Sequence, residues 1–149
     1  MPLSDLISSL QLAIGPVILI SGVGLLLLTM TNRLGRVIDR ARDLTPHLDS
    51  ATPDVREAYL AQLRILWRRA RLERAAIALA TLSVLFVALL IITMFVGTLN
   101  GLDVSQPIVG QFTACMLSLV FSLAFFLSDV NLTLRALDVE LPAEARQAL

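Results

Sequence analysis

Ala75 to Leu102 reads AAIALATLSVLFVALLIITMFVGTLNGL, 28 residues without a charged side chain. A hydrocarbon core about 30 Å thick is crossed by about 20 helical residues, so this run is long enough to span a bilayer. A helix buried in a soluble core shows a polar face within a few turns. This one shows none. Working outward, the same feature occurs on either side: Val104 to Ser128 holds 25 uncharged residues and Leu6 to Asn32 holds 27. The chain is 149 residues long and 56% hydrophobic, which leaves room for one membrane domain over residues 1–149 and no separate soluble core. The fold class is therefore all-α: an integral membrane protein with three transmembrane helices, at about residues 10–32, 75–99 and 106–128.

The first run has one competing reading, a cleaved signal peptide. Met1 to Asp5 carries an acid and no arginine, where a signal needs a basic start, and the apolar stretch is too long. A retained span is expected. Gly15-Pro16 divides it, because proline removes a backbone donor and clashes with the preceding turn. One kinked helix from about Leu6 is favoured over a short interfacial helix, Ser4 to Ile14, followed by a span beginning at Pro16.

Charge placement sets the orientation. All twelve basic residues are arginine, and ten of them lie between Arg33 and Arg74. The N-terminal side of the first span and the Asn100 to Gly110 connection have none. Positively charged loops stay in the cytoplasm. The N-terminus is expected outside, and residues 33–74 and the C-terminus inside.

The arginine-rich segment itself has helical periodicity. Leu34, Val37, Ile38, Ala41 and Leu44 recur on one side, opposite Arg36, Asp39, Arg40 and Asp43. Thr45 to Pro53 reads as a turn containing the single histidine, His47, as a solvated loop residue. Thr52-Pro53-Asp54 then supplies a cap, a first-position proline and a first-turn acid. The next helix carries the stripe Tyr59, Leu63, Leu66, Ala70, with Leu60 and Trp67 on a second apolar edge. Helices 1 and 2 thus extend into a cytoplasmic antiparallel hairpin. Helix 3 extends into a cytoplasmic C-terminal helix over 129–141, with the stripe Val130, Leu134, Leu137, Leu141 ended by Pro142, and Ala143 to Leu149 as a loose tail.

Catalytic and metal-ligating arrangements are not evident. There is no metal-ligand spacing, phosphate-binding loop or dinucleotide fingerprint, so neither an enzyme nor a cofactor is expected. Gly22-Val23-Gly24 lies inside a span, where small residues serve close helix packing. Cys115 has no intrachain partner and reads as a small buried hydrophobe. Nucleic acid is not an expected partner, because six acids are interleaved among the ten arginines.

Two constellations remain. Gln111, Cys115, Ser118 and Ser122 fall at i, i+4, i+7 and i+11, one face of the third span. Such a face forms either a hydrogen-bonded helix interface or the polar lining of a pore between subunits. Gln11, Gly15, Gly22 and Thr29 make a weaker face on the first span. The second constellation gathers at the inner surface: Asn32, Arg33, Arg36 and Arg40 after the first span, Arg68, Arg69, Arg71 and Arg74 before the second, and Asp129 after the third. The arginines fix topology and attract anionic headgroups. Asp129 is expected to pair with Arg33 or Arg74, since a lone carboxylate there is costly.

Several stretches together resemble a known family. They are Ile14-Gly15-Pro16-Val17, Ile20 to Leu27, Thr31-Asn32-Arg33-Leu34-Gly35-Arg36-Val37-Ile38-Asp39-Arg40, Glu73-Arg74-Ala75 and Leu127-Ser128-Asp129-Val130. The chain is similar over nearly its whole length to the bacterial membrane family catalogued as domain of unknown function 2721. The resemblance implies three spans and carries no activity.

Three helices are too few to enclose water alone, so a homo-oligomer is expected. The leading functional reading is an oligomeric membrane protein forming a small ion channel on a cytoplasmic helical stalk. The alternative is a membrane-anchored adaptor whose arginine-rich hairpin binds a soluble or membrane partner, of unknown identity, or anionic lipid.

Overall fold

The computed structural model describes residues 3–50 and 52–140. Among the described residues there are three long helices and one short turn of helix. α1 covers Leu3–Leu44, α2 His47–Ser50, α3 Pro53–Asn100 and α4 Ser105–Glu140. At 1.5 Å per residue the 48 residues of α3 extend about 70 Å, more than twice the hydrocarbon thickness. Among the described residues three helices are long and apolar enough to cross a bilayer.

α1 runs unbroken through Pro16, so no separate interfacial helix precedes the first span. In α1 and α3 the exposed hydroxyls turn back onto their own helices. Ser21 donates to the Val17 carbonyl at 3.3 Å, Thr29 to Leu25 at 3.1 Å and Thr81 to Ile77 at 2.9 Å. In α4 Thr113 donates to Val109 and Ser128 to Ala124, each at 2.8 Å. Lipid offers no partner, so a hydroxyl on a lipid-facing surface must be satisfied within its own helix.

The chain falls into two compact units: residues 1–29 with 77–122, and residues 30–76 with 123–149. The first is the apolar unit. Its fully or nearly buried residues are mostly small: Ala80, Ser83, Cys115, Ser118 and Ser122, with Val23, Val87 and Leu90. Helix backbones come close where side chains are small. Gly22 and Gly24 do not serve that purpose within the chain. A methyl group at either meets nothing within 4 Å, and Val23 between them is the buried residue. Gly97 is the tight position, since a Cβ there would run into the Val104 side chain.

The connection from α3 to α4 is short because its ends are capped. Gly101 takes φ +64°, the left-handed conformation, and the Leu102 N–H donates to the Gly97 carbonyl at 3.0 Å. This is the six-residue helix-ending bond that glycine permits at low cost. The Asp103 carboxylate then accepts from the Ser105 backbone N–H at 3.0 Å, one of the donors that a helix start leaves unpaired.

The second unit holds the hairpin. α3 begins at Pro53, with the Arg56 N–H donating to the Thr52 carbonyl at 2.9 Å. Tyr59, Leu63, Leu66 and Ala70 are partly covered and Val37 is buried, whereas Leu60 and Trp67 are exposed. The turn is more ordered than the sequence suggests. His47 starts the short helix α2, its ring nitrogen Nδ1 lies 2.8 Å from the Asp43 carbonyl, and its ring centroid is 6.2 Å from that of Tyr59. Leu141 and the tail Ala143 to Leu149 lie outside the described residues, as do the side chains of Leu134 and Leu137.

Candidate functional site

The first constellation is a set of neutral contacts inside the apolar unit. The Gln111 amide nitrogen donates to Thr93 Oγ1 at 2.9 Å, joining α4 to α3. Ser118 Oγ donates to the Leu79 carbonyl at 2.7 Å, between the same helices. Cys115 and Ser122 on the same face are buried. Gln111 Oε1 is buried without a donor. The described face is thus closed by its own chain. Of the weaker face on α1, Gln11, Gly15, Gly22 and Thr29 are all exposed. A small apolar cavity of about 220 Å³ lies beside it, lined by Gly15, Pro16, Leu19, Val87, Leu90, Phe112 and Cys115.

The second constellation is the charged centre of the hairpin unit. It is built by three helices: Arg33 from α1, Arg69 and Glu73 from α3, and Asp129 from α4. Arg69 and Glu73 are four residues apart on a helix, so they share a face. Asp129 and Glu73 are both 0% exposed. Arg33 Nη2 donates to Asp129 Oδ2 at 2.8 Å, and Arg69 Nε donates to Oδ1 at 3.4 Å. Arg33 Nε lies 3.2 Å from Glu73 Oε1. That contact is off the hydrogen-bonding direction, because neither Glu73 oxygen accepts a hydrogen bond. Phe126 covers the other side of Arg33, with Cζ 4.9 Å from the ring centroid. A guanidinium against an aromatic face gains electrostatic attraction while shedding little hydration.

With all four groups ionised, two positive charges meet two negative ones and the cluster is neutral. A buried charge survives only with such compensation. Asp129 does meet Arg33, as the sequence indicates. Its second arginine is Arg69 rather than Arg74, which is exposed. The reason is helical register: Arg69 falls on the buried face with Glu73, and Arg74 falls off it. Asn32, Arg36, Arg40, Arg68 and Arg71 are likewise exposed. Glu73 is the member that sequence reasoning missed. Its signal was available, since an acid immediately before an uncharged span raises the same question as Asp129 immediately after one.

Among the described residues no group of His, Cys, Asp and Glu comes together that could hold a metal ion. Chemically the charged centre can hold and exchange protons and fasten three helices.

These features define a multi-pass membrane protein of three apolar helices, fastened by a buried ion-pair cluster. The chain belongs to the family described as Protein of unknown function (DUF2721), which matches residues 13–139. No curated protein and no solved structure matches it.

Proposed function

We propose that the protein is a membrane-anchored adaptor of the bacterial inner membrane, presenting its arginine-rich hairpin to a partner in the cytoplasm. The orientation rests on the ten-to-none arginine bias between the first two spans and the remaining connections. The observation that carries the adaptor reading is the outward ridge of α3. Trp67 is 69% exposed, and Leu60, Arg64, Arg68 and Arg71 beside it are exposed as well. From Ala58 to Arg74 the one acid, Glu73, is buried, so the exposed charge of this stretch is wholly positive. A large aromatic among arginines is the composition enriched at interaction hot spots. An acidic protein surface suits it, and anionic headgroups supply the same charge.

The channel reading has less support. Gln111 and Ser118 spend their donors on α3 of the same chain, leaving little polar surface for a lining. Self-association remains compatible with the adaptor, but those two side chains do not require it. A photo-crosslinker at position 67, in cells, should capture one discrete protein band that Arg64→Glu with Arg68→Glu abolishes. Purified protein in liposomes should carry no ion flux above protein-free vesicles. Flux that Gln111→Leu removes, with the fold intact, would overturn the adaptor in favour of the channel.

A further inference from the structure

The four members of the charged centre are unequally provided for. Asp129 accepts hydrogen bonds from two guanidiniums, at 2.8 Å from Arg33 and 3.4 Å from Arg69. Glu73 is equally buried, at 0% exposure, and neither of its oxygens has a hydrogen-bond donor. Arg33 reaches Asp129 through Nη2 and Glu73 through Nε, two nitrogens of one guanidinium edge. The two carboxyl groups therefore lie against the same guanidinium edge, side by side. A buried acceptor without a donor is costly. A proton on one of two adjacent carboxyls removes the repulsion between them and supplies the missing donor.

We infer that Glu73 is a proton-binding site, its carboxyl taking one proton and donating it in a hydrogen bond to the Asp129 carboxylate. The donors decide which acid carries the proton. Two guanidinium hydrogen bonds reach Asp129 and none reaches Glu73, so Glu73 is the acid left with an unmet need for a donor. The groups facing Glu73 are Arg33 from α1, Arg69 one turn earlier on α3, and Asp129 from α4. The proton comes from solvent, on the side where the Arg33 and Arg69 side chains remain 22% and 18% exposed. Both guanidiniums stay charged throughout. The cluster is then neutral when empty and singly positive when loaded, so the centre of the unit changes charge by one with a single proton and no change of partner. This goes beyond the adaptor reading and stands or falls separately from it.

Infrared spectroscopy of the full chain in lipid tests the site directly. Ordinary carboxyls are ionised from roughly pH 5.5 upward. A carbonyl stretch of a protonated carboxylic acid in that range therefore belongs to a buried group. The expected result is one such band that shifts in heavy water and fades on the alkaline side. It should move when glutamate, but not aspartate, is labelled with carbon-13, a reading that needs no variant. Asp129→Asn should change its frequency, because the acceptor changes, and Glu73→Gln should abolish it. Absence of the band above roughly pH 5.5, or a band that follows the aspartate label, would overturn the assignment to Glu73. Persistence of the band in a folded Glu73→Gln protein would overturn it equally.

Discussion

The two units of this chain solve the same problem, holding helices together, with different materials. The apolar unit uses small residues and single neutral hydrogen bonds, Ser118 to the Leu79 carbonyl and Gln111 to Thr93. The hairpin unit uses four charged side chains, two of them fully buried. In the first, no one contact matters much, because many weak ones share the load and the hydroxyls have other carbonyls to turn to. In the second, each group's cost is covered by the others, so removing one exposes the rest. Neutral packing should fail gradually, and charged packing abruptly.

The sharpest test of that contrast is Asp129→Ala, which leaves two guanidiniums facing the single carboxyl of Glu73, with positive charge uncompensated. It should destabilise the protein by about 3 kcal/mol, read as a lowered melting temperature in detergent. Removing Arg33 as well should recover part of the loss, whereas Arg74→Ala, at an exposed position, should change stability by less than about 0.5 kcal/mol. If the Asp129 and Arg74 variants melt alike, the charged centre is not what holds its unit together. Next in size is Gly97→Ala, whose new methyl meets Val104. A loss of about 1–3 kcal/mol is expected, largely restored by Val104→Ala. Failure of that second change to help would place the strain elsewhere. Ser118→Ala should cost only about 0.6 kcal/mol by the same melting assay, as is usual for one interhelical hydrogen bond in lipid. A loss as large as that of Asp129→Ala would erase the contrast between the units.

The smallest effect belongs to Asp103. The Ser105 hydroxyl, and then the Ser105 backbone N–H, hold its carboxyl below the usual carboxylate range. Its folded value is depressed, so the cap contributes fully above that range and is lost as pH falls through it. The melting difference between the native chain and Asp103→Ala should therefore be small near neutrality and shrink progressively as the pH falls below about 4. A difference that survives unchanged in acid would show that the carboxylate charge has no part in the cap.

Most of the fold was legible in the sequence because lipid is an unforgiving solvent. Three runs of 25 to 28 uncharged residues admit few other readings, and Thr52-Pro53 marked the start of α3 within a residue. The half-covered stripe Tyr59, Leu63, Leu66, Ala70 and the exposed Leu60 and Trp67 also followed from periodicity. The site was harder. Asp129 stood out because nothing near it in sequence is charged, whereas Glu73 was hidden among Arg71, Arg74 and their neighbours. Which arginine reaches Asp129 depends on the rotation of α3, and an error of a few residues in register separates Arg69 from Arg74. The Gln111 face left two readings open, a hydrogen-bonded interface or a pore lining, because Thr93 and the Leu79 carbonyl, its partners, lie on another helix. Gly22 and Gly24 have no close neighbour within the chain, since smallness alone does not say which surface, if any, comes near.

Arg33 and Asp129 are separated by 96 positions in the chain. A ribosome adding roughly 5–20 residues per second makes the arginine several seconds before the acid that accepts its shortest hydrogen bond. Of the two acids that Arg33 touches, Glu73 is the earlier to be made. Order of synthesis therefore presents Arg33 with the acid that lacks a hydrogen bond before the one that accepts its own.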